Sequence, residues 1–553
     1  MKDKIFIRNF LIVFILGLLF FIAGNNIISL TNPDEVFYSQ TAREMIQQKT
    51  WMVPYLFGQP QFEKPIFTYW CIRLAYKIFG ETPFASRFFP AVFALIGCLA
   101  IFLWTNKVFK NSRKALFAAL CLMSMGMYIG LARTVFTDMI FSVWILLAMI
   151  YFYLAYTKPV SDNRKEVWGF FIFSALAVLT KGLLGIVFPI AAVILFLFLR
   201  KDIKFLFSKT FFWGWVLFFV IALPWYVYMI KLYGHTFTHE FFYNDHYRRI
   251  IEAEHKSSDR WYFYPMTLIG GTFPWSVLTI GSVFYLWKRI MDKKAEVIYL
   301  YLFCWVAGMF LIVQVAHSKL ASYIFPAFPA FAVMISVFLE ALFKKQDSKW
   351  LKIFLWVSML QMFVLPLLLI LFSKGVIHFN YYNYLPQASV INFLVGLALG
   401  IAVVLLVLIL KKKYEWGVFF TSLQVPFLLT AGFMSMGQIE PYISGKFACE
   451  YLIKNYPVGT TVIASKFYAR GVRFYTDKKI VVVDSGDNYF SPHPIPYLNT
   501  QEKVLNFLSN YKEIYGIIKD SDIEILNRHI AGLYEIRILK QIGDEYIVRF
   551  ERL

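Results

Sequence analysis

The sequence predicts an α-helical polytopic membrane protein with a small soluble α/β domain at its C-terminal end. Of its 553 residues, 59% are hydrophobic and only 16% are charged, well below the roughly 25% charged residues of soluble domains. Many apolar runs in residues 1–433 reach about 20 residues, the length of helix that crosses a bilayer core. Residues 434–553 instead mix polar and apolar residues as a soluble domain does.

About thirteen membrane-spanning helices are predicted from these apolar runs. The runs lie at 9–28, 86–106, 114–131, 134–156, 166–180, 183–199, 210–232, 263–287, 297–315, 321–342, 351–373, 389–410 and 415–433. The segment before the first run, and every second connection after it, carries three or four Lys or Arg. Cytoplasmic loops are enriched in these residues. We therefore expect a cytoplasmic N-terminus and a C-terminal domain on the opposite side of the membrane.

The formal net charge of +21 follows from the same pattern. Residues 434–553 hold 15 Lys and Arg against 14 Asp and Glu, so the excess lies in the membrane domain, mostly in its cytoplasmic loops. This distribution predicts no nucleic-acid partner.

The C-terminal domain has the texture of a small α/β unit. Short apolar runs predict buried strands, amphipathic segments predict helices, and two alternating runs predict a closing hairpin. The strands are predicted at Thr461–Ser465 and 479–484, the helices at 450–456, 501–511 and 523–528, and the hairpin at 535–541 and 545–551.

Two outside loops are long enough to carry function. Loop 1, residues 29–85, contains amphipathic segments that suit the membrane interface. Loop 4, residues 231–262, is rich in His, Tyr and Arg. Functional residues concentrate on loops that a rigid scaffold positions.

Loop 1 carries two charged motifs next to apolar helices. Asp34 and Glu35 follow span one directly, and Glu63 and Lys64 come about thirty residues later. Asp34 and Glu35 are candidate catalytic carboxylates, and Lys64 is a candidate phosphate ligand that acts as a point charge. A plain helix N-terminus and an interfacial ion pair are the structural alternatives.

Further cations recur at the outside turns, where the positive-inside rule disfavours them. Arg133 with Asp138, Lys181 and Lys319 each lie at such a turn. Together with Lys64 they predict a ring of cations that suits a lipid phosphate or pyrophosphate. An ion pair at the membrane edge or a snorkelling lysine is the alternative for each residue taken singly.

The histidines of loop 4 raise the question of a metal site. His235 and His239 have the i, i+4 spacing of some zinc sites, and His246 and His255 follow. A third ligand is not evident, so interfacial polar histidines are the simpler interpretation. No cofactor is assigned, and a divalent metal remains an alternative.

Nucleotide chemistry has no site in this sequence. It contains neither a phosphate-binding Walker-type glycine loop nor a dinucleotide fingerprint, and its predicted cytoplasmic loops are short. An activated sugar would therefore have to arrive on a lipid, from outside or within the bilayer.

The motifs resemble those of the bacterial polyprenyl-phosphate glycosyltransferases of the GT-C class, over roughly residues 30–335. The membrane domain is most similar to the 4-amino-4-deoxy-L-arabinose lipid A transferases and to protein O-mannosyltransferase-like enzymes. The matching stretches are Pro33-Asp34-Glu35 with Tyr38, Phe62-Glu63-Lys64-Pro65, Arg133 to Met139, Thr180-Lys181-Gly182, Leu223-Pro224-Trp225, Phe273-Pro274-Trp275 and Ser318 to Pro329.

The resemblance implies inverting transfer of a sugar from undecaprenyl phosphate to a periplasmic acceptor, at the inner membrane of a bacterium. Lipid A or another envelope glycolipid is the expected acceptor, and membrane lipids are the other partners. Asp34, Glu35 and Asp138 are the implied catalytic acids. The implied donor-binding residues are Glu63, Lys64, Arg133, Lys181, Lys319 and Tyr323.

One motif departs from the aminoarabinose enzymes, which usually read Asp-Glu-Ala/Gly-Arg-Tyr where this chain reads Asp34-Glu35-Val36-Phe37-Tyr38. Arg43 is the candidate to replace the missing arginine, and the sugar and the acceptor stay open.

A protein O-glycosyltransferase, a flippase for a lipid-linked sugar and a non-catalytic envelope scaffold are the competing hypotheses. Polar residues clustered at one face and the absence of an inverted repeat disfavour a transporter.

Overall fold

The computed structural model describes residues 2–159, 161–253, 258–292, 296–345, 349–374, 376, 388–435, 437, 439–483, 497–530 and 532–553. Helices form most of residues 2–455, and a six-stranded sheet with its helices lies within residues 461–552. This is the predicted fold class.

The helices of the first part follow one another with short connections. They are α1 (Lys2–Gly17), α2 (Asp34–Gln47), α3 (Phe67–Phe79), α4 (Pro83–Phe109), α5 (Ser112–Ser124), α6 (Gly126–Ala132), α7 (Thr137–Tyr156), α8 (Arg164–Lys181), α9 (Leu184–Arg200), α10 (Lys209–Thr238), α11 (Arg248–Ile251), α12 (Phe263–Gly271), α13 (Ser276–Met291), α14 (Val297–Val315), α15 (Phe328–Lys344), α16 (Lys349–Ser373), α17 (Ala388–Leu410), α18 (Tyr414–Ser435), α19 (Glu440–Ile443) and α20 (Lys446–Asn455). A short hairpin in loop 1 pairs β1 (Tyr55–Leu56) with β2 (Gln59–Pro60).

A multi-pass membrane protein is confirmed. Among the described residues, seven helices are long and apolar enough to cross a membrane, or up to nine if each of two bent pairs is one span. Helices occupy every one of the thirteen predicted runs, but the count of thirteen spans stays a prediction.

Two predicted spans are bent rather than straight. Helices α5 and α6 meet at 67°, and α12 and α13 meet at 114°. The two breaks touch, because the Gly126 amide donates to the Phe273 carbonyl at 3.0 Å. This hydrogen bond pairs an amide at one break with a carbonyl at the other. Backbone groups within a membrane need such partners.

Local sequence explains where other helices begin. The Thr82 hydroxyl accepts from the Ala85 amide at 3.1 Å, with Pro83 at the first helical position of α4. The Asn111 and Ser208 side chains cap α5 and α10 in the same way. Side-chain caps of this kind satisfy amides that have no partner within the helix.

The C-terminal domain is a mixed sheet with helices on both faces. Its elements are β3 (Thr461–Ser465), α21 (Ala469–Thr476), β4 (Lys479–Val483), β5 (Tyr497–Leu498), α22 (Gln501–Leu508), β6 (Glu513–Ile518), α23 (Asp520–Ile530), β7 (Tyr534–Ile542) and β8 (Glu545–Arg552). The strand order is β5-β4-β3-β6-β8-β7, parallel from β5 to β6 and antiparallel at β8 and β7. Alternate strand residues face opposite ways, so Val462 packs with α20 and α21 while Ile463 packs with α22 and α23.

Most predicted elements of this domain are observed. Strand β3 has the predicted bounds, the hairpin β7–β8 forms around the predicted turn, and the three predicted helices correspond to α20, α22 and α23. Residue 484, predicted as the end of a strand, lies outside the described residues. Strand β6 and helix α21 were not predicted. The boundary between residues 433 and 434 stays a prediction.

The C-terminal domain docks on loop 1 through hydrogen bonds to the backbone of the loop. The Asn32 amide donates to the Ile443 carbonyl at 2.9 Å, and the Tyr475 hydroxyl donates to the Leu30 carbonyl at 3.0 Å. Gly471 lies against Asn32, because a Cβ at that position would be 2.0 Å from the Asn32 Oδ1. The residues directly before Asp34 are therefore held by the domain that ends the chain.

Candidate active site

A cavity of about 550 Å³ lies where loop 1, the ends of the bundle helices and the C-terminal domain meet. Among the described residues, four carboxylates and four cations line it. The carboxylates are Asp34, Glu63, Asp138 and Asp245, and the cations are Lys64, Lys181, Arg249 and Arg470. His246, Tyr38 and Tyr323 also line the cavity. Residues more than 400 positions apart in the chain thus share one polar chamber.

Lys64 and Arg249 share one carboxylate. The Lys64 Nζ lies 2.8 Å from the Asp245 Oδ2, and the Arg249 Nη2 lies 3.0 Å from the Asp245 Oδ1. Arg249 also donates to the Tyr323 hydroxyl at 3.1 Å. Burial opposes the charged form of Lys64, but the attraction of Asp245, its hydrogen bond and the attraction of Glu63 together outweigh burial and raise the pKa of Lys64. Two cations thus meet at one carboxylate on this side of the cavity.

Lys181 and Asp138 form a second pair. Asp138 lies in the first turn of α7, and Lys181 is the last residue of α8. Their side chains are joined by a very short ion pair, and the Lys181 Nζ also lies 4.9 Å from the Tyr323 ring centre. Gly182 has φ +84°, and a Cβ there would be 2.4 Å from the His246 Nε2. Glycine at position 182 therefore lets the part of loop 4 that carries His246 approach this pair.

Arg470 of the C-terminal domain lies between two acids of loop 1. Its Nη1 is 3.8 Å from the Asp34 Oδ1, and its Nη2 is 3.7 Å from the Glu63 Oε1. Asp34 is the first residue of α2, and its side chain is 53% exposed towards the cavity. Burial raises the pKa of Asp34, with Glu63 adding to the rise and Arg470 opposing it.

Glu35 lies outside the cavity lining, and its catalytic role stays a prediction. Its carboxylate is 1% exposed and forms an ion pair with Arg87 at 2.5 Å. The same carboxylate accepts from the amides of Thr31 and Val135, each at 3.0 Å. Both oxygens are engaged and Glu35 does not line the cavity, so its position fits a structural role.

Three predicted phosphate ligands also lie outside the cavity lining. Arg43 forms an ion pair with Glu81 at 2.7 Å and donates to a carbonyl of the C-terminal domain, so it does not replace the missing arginine. Arg133 is buried and donates to carbonyls at the end of span one. Lys319 forms an ion pair with Asp259 at 2.6 Å. The predicted ring of cations thus reduces to Lys64 and Lys181, joined by Arg249 and Arg470.

The histidines among the described residues do not gather into a metal site. Within the described residues there is no group of three or more His, Cys, Asp or Glu that could hold a metal ion. His235 and His239 stack on each other at 5.6 Å between ring centres, away from the cavity lining. His255 lies outside the described residues.

Sequence reasoning did not single out Asp245, Arg249 or Arg470. The i, i+4 spacing of Asp245 and Arg249 places them on one helix face, and this signal was present in loop 4. Arg470 had no comparable signal, because only the docking of the two domains brings it beside Asp34.

The chain matches known proteins along most of its length. The family described as dolichyl-phosphate-mannose-protein mannosyltransferase matches residues 63–228. An undecaprenyl phosphate-α-4-amino-4-deoxy-L-arabinose arabinosyl transferase of Wigglesworthia glossinidia brevipalpis is 31% identical over 355 residues, which cover 64% of this chain and 62% of that protein. The enzyme of the same description from Pectobacterium atrosepticum is 27% identical, covering 75% and 74%.

Solved structures agree over almost the whole chain. The crystal structure of ArnT from Cupriavidus metallidurans bound to undecaprenyl phosphate has a TM-score of 0.80 at 19% identity, covering 98% of this chain and 97% of that one. The apo form of the same protein has a TM-score of 0.78. This protein is similar to the bacterial polyprenyl-phosphate glycosyltransferases. The resemblance and the fold class expected from the motifs are both confirmed. The chain covers a little under two thirds of the Wigglesworthia relative and about three quarters of the Pectobacterium one.

Proposed function

We propose that this protein transfers a sugar from undecaprenyl phosphate, with inversion, to lipid A or another envelope glycolipid at the periplasmic face of a bacterial inner membrane. The observation that carries the proposal is the cavity in which Lys64 and Arg249 share the single carboxylate of Asp245. The similarity of this protein to transferases that are named for undecaprenyl phosphate-linked aminoarabinose supports the choice of donor class.

The Lys64–Asp245–Arg249 trio is the proposed site of the donor phosphate. Its two cations suit an anion, with lysine as a point charge and arginine as a planar fork. When the bond between the anomeric carbon and the phosphate oxygen breaks, the electron pair moves to that oxygen. Lys64 and Arg249 stabilise the growing negative charge, and electrostatic stabilisation of this kind supplies much of the rate enhancement in many enzymes. Lys181 and Tyr323 lie beside them and complete this side of the cavity.

Asp34 is the proposed group at the acceptor. An acceptor oxygen forms the new bond to the anomeric carbon on the face opposite the leaving phosphate. A hydroxyl acceptor passes its proton to Asp34, whereas an ionised phosphate needs no base and Asp34 then orients it. Asp138 is held by Lys181 in the same cavity and is proposed to position the sugar.

Mass spectrometry of envelope glycans tests the proposal. A deletion strain is complemented with the wild type, Lys64→Ala, Asp34→Ala or the control Lys77→Ala, an exposed loop 1 lysine outside the cavity. We expect Lys64→Ala and Asp34→Ala to lose one sugar modification of lipid A while remaining in the membrane, and the control to keep it. Glycans unchanged in both site variants, where the deletion does change them, would refute the site.

A protein acceptor is the second candidate function. It is favoured by the match of residues 63–228 to a family described by protein mannosyltransfer. The same strains separate the two, because the lost sugar then disappears from the protein fraction and lipid A stays unchanged. A flippase would leave the sugar attached to its carrier phosphate, so the purified protein would then transfer no sugar from undecaprenyl phosphate to an added acceptor.

A further inference from the structure

The C-terminal domain delivers one charged side chain into the cavity. Arg470 is the second residue of α21, and its guanidinium lies 4.5 Å from the centre of the Phe37 ring. The close approach of Gly471 to Asn32 allows α21 to reach loop 1 at this point. The position of Arg470 is therefore set by the close packing of Gly471 on the Asn32 side chain.

The donor groups of Arg470 remain available to a ligand. Its distances of 3.8 Å to Asp34 and 3.7 Å to Glu63 exceed those of hydrogen bonds. Among the contacts between described residues, Arg470 makes these ion pairs and the contact with Phe37. A guanidinium with five N–H donors held between two carboxylates can turn these donors towards an incoming anion.

Charge balance shows why an anion would need Arg470. Asp34 and Glu63 together carry up to two negative charges, which would repel a phosphate that approached Asp34. Arg470 offsets one of these charges and offers a bidentate partner for phosphate oxygens. A neutral hydroxyl acceptor experiences no such repulsion.

We propose that Arg470 makes the C-terminal domain part of the substrate site and selects an acceptor that carries a phosphate. The proposal rests on the proposed function, because it places the donor phosphate at Lys64 and Arg249 and the acceptor beside Asp34. Arg470 contacts Asp34 and Glu63 rather than the Asp245 trio, so it serves the acceptor and leaves the carrier phosphate to the trio.

Lipid binding to the purified full-length protein tests the proposal. Native mass spectrometry measures the affinity of three probes: undecaprenyl phosphate, lipid A with both phosphates, and the same lipid A after dephosphorylation. The variants are Arg470→Gln, Arg470→Lys and, as a control, Arg473→Gln. Arg473 lies one turn further along α21 and pairs with Glu44 at 3.6 Å outside the cavity lining.

We expect Arg470→Gln to weaken the binding of phosphorylated lipid A by about tenfold to a hundredfold, which is the range for loss of a charge-assisted hydrogen bond. Its affinities for dephosphorylated lipid A and undecaprenyl phosphate should stay at wild-type values. Arg470→Lys keeps the charge and should recover part of the loss, and Arg473→Gln should keep the wild-type preference.

Three outcomes would overturn the assignment of Arg470. They are unchanged binding of phosphorylated lipid A by Arg470→Gln, an equal loss of all three probes, and a wild type that shows no preference for the phosphorylated acceptor. Failure of the proposed function would be seen in a different measurement. The Lys64→Ala variant would then bind undecaprenyl phosphate as tightly as the wild type does. If Arg470→Gln does not fold, Arg470→Lys is compared with the wild type instead. A preference for phosphorylated over dephosphorylated lipid A equal to that of the wild type would then overturn the assignment.

Discussion

Removing the Glu35 carboxylate should destabilise the protein far more than removing an exposed acid of the same loop. Glu35 is 1% exposed and Arg87 is 3% exposed, so Glu35→Ala leaves a buried guanidinium without its counter-charge. Breaking a buried pair in this way costs about 3–5 kcal/mol. The control Glu81→Ala breaks the pair with Arg43, in which Glu81 is 41% exposed, and should cost less than about 1 kcal/mol.

Thermal unfolding of the detergent-purified protein measures the difference. We expect Glu35→Ala to lower the melting temperature several times more than Glu81→Ala does. Equal shifts would refute the reasoning from burial. A Glu35→Gln variant that melts like the wild type but has lost sugar transfer would instead return Glu35 to the catalytic role that the sequence predicted.

The pH dependence of stability gives a second measure of the same pair. Burial alone would raise the pKa of Glu35, but the charge and hydrogen bonds of Arg87 outweigh burial and lower it. A lowered folded pKa means that the unfolded chain binds the proton first. The stabilisation is therefore complete above the ordinary glutamate pKa of about 4.3 and is lost as pH falls through the lower folded value. Glu35→Gln should flatten this acid limb.

Two further predictions concern the cavity. Because the pKa of Asp34 is raised, transfer to a hydroxyl acceptor should fall with decreasing pH at a higher pH than an ordinary aspartate predicts. With such an acceptor, Arg470→Gln should move this limb higher still, since Arg470 lowers the pKa of Asp34. A pH profile of kcat/KM that is unshifted with a hydroxyl acceptor would contradict the contact. Gly182→Ala should reduce transfer strongly at normal expression, because its Cβ would lie 2.4 Å from the His246 Nε2 at a φ of +84°. Wild-type transfer rates in vesicles from that variant would show that the approach is not needed.

Local patterns predicted most of the secondary structure and five of the eight charged residues that line the cavity. Apolar runs predicted helices in all thirteen segments, because a chain in a bilayer must satisfy its backbone hydrogen bonds within each span. Strand β3 followed from a short apolar run, and the hairpin β7–β8 from period-two alternation. Strand β6 was missed although its last five residues, from Ile514 to Ile518, are all buried between two neighbouring strands.

The charged residues show the boundary between local and tertiary information. Asp34, Lys64, Asp138 and Lys181 were identified from their motifs and do line the cavity. Glu35 was given the same role as its neighbour, but successive residues of a helix point in different directions. Glu35 therefore turns inward to Arg87 while Asp34 faces the cavity.

The sequence by itself determined a multi-helix membrane protein, a separate α/β domain and a concentration of acids and lysines in loop 1. Hydrophobic periodicity and the basic connections are local properties of the chain, so no structure was needed for them. Only the tertiary structure decided which cations meet those acids. Arg470 reaches Asp34 across more than 400 residues, and Lys319 is held by Asp259 outside the cavity, because ion pairs depend on distance in space and not on spacing along the chain.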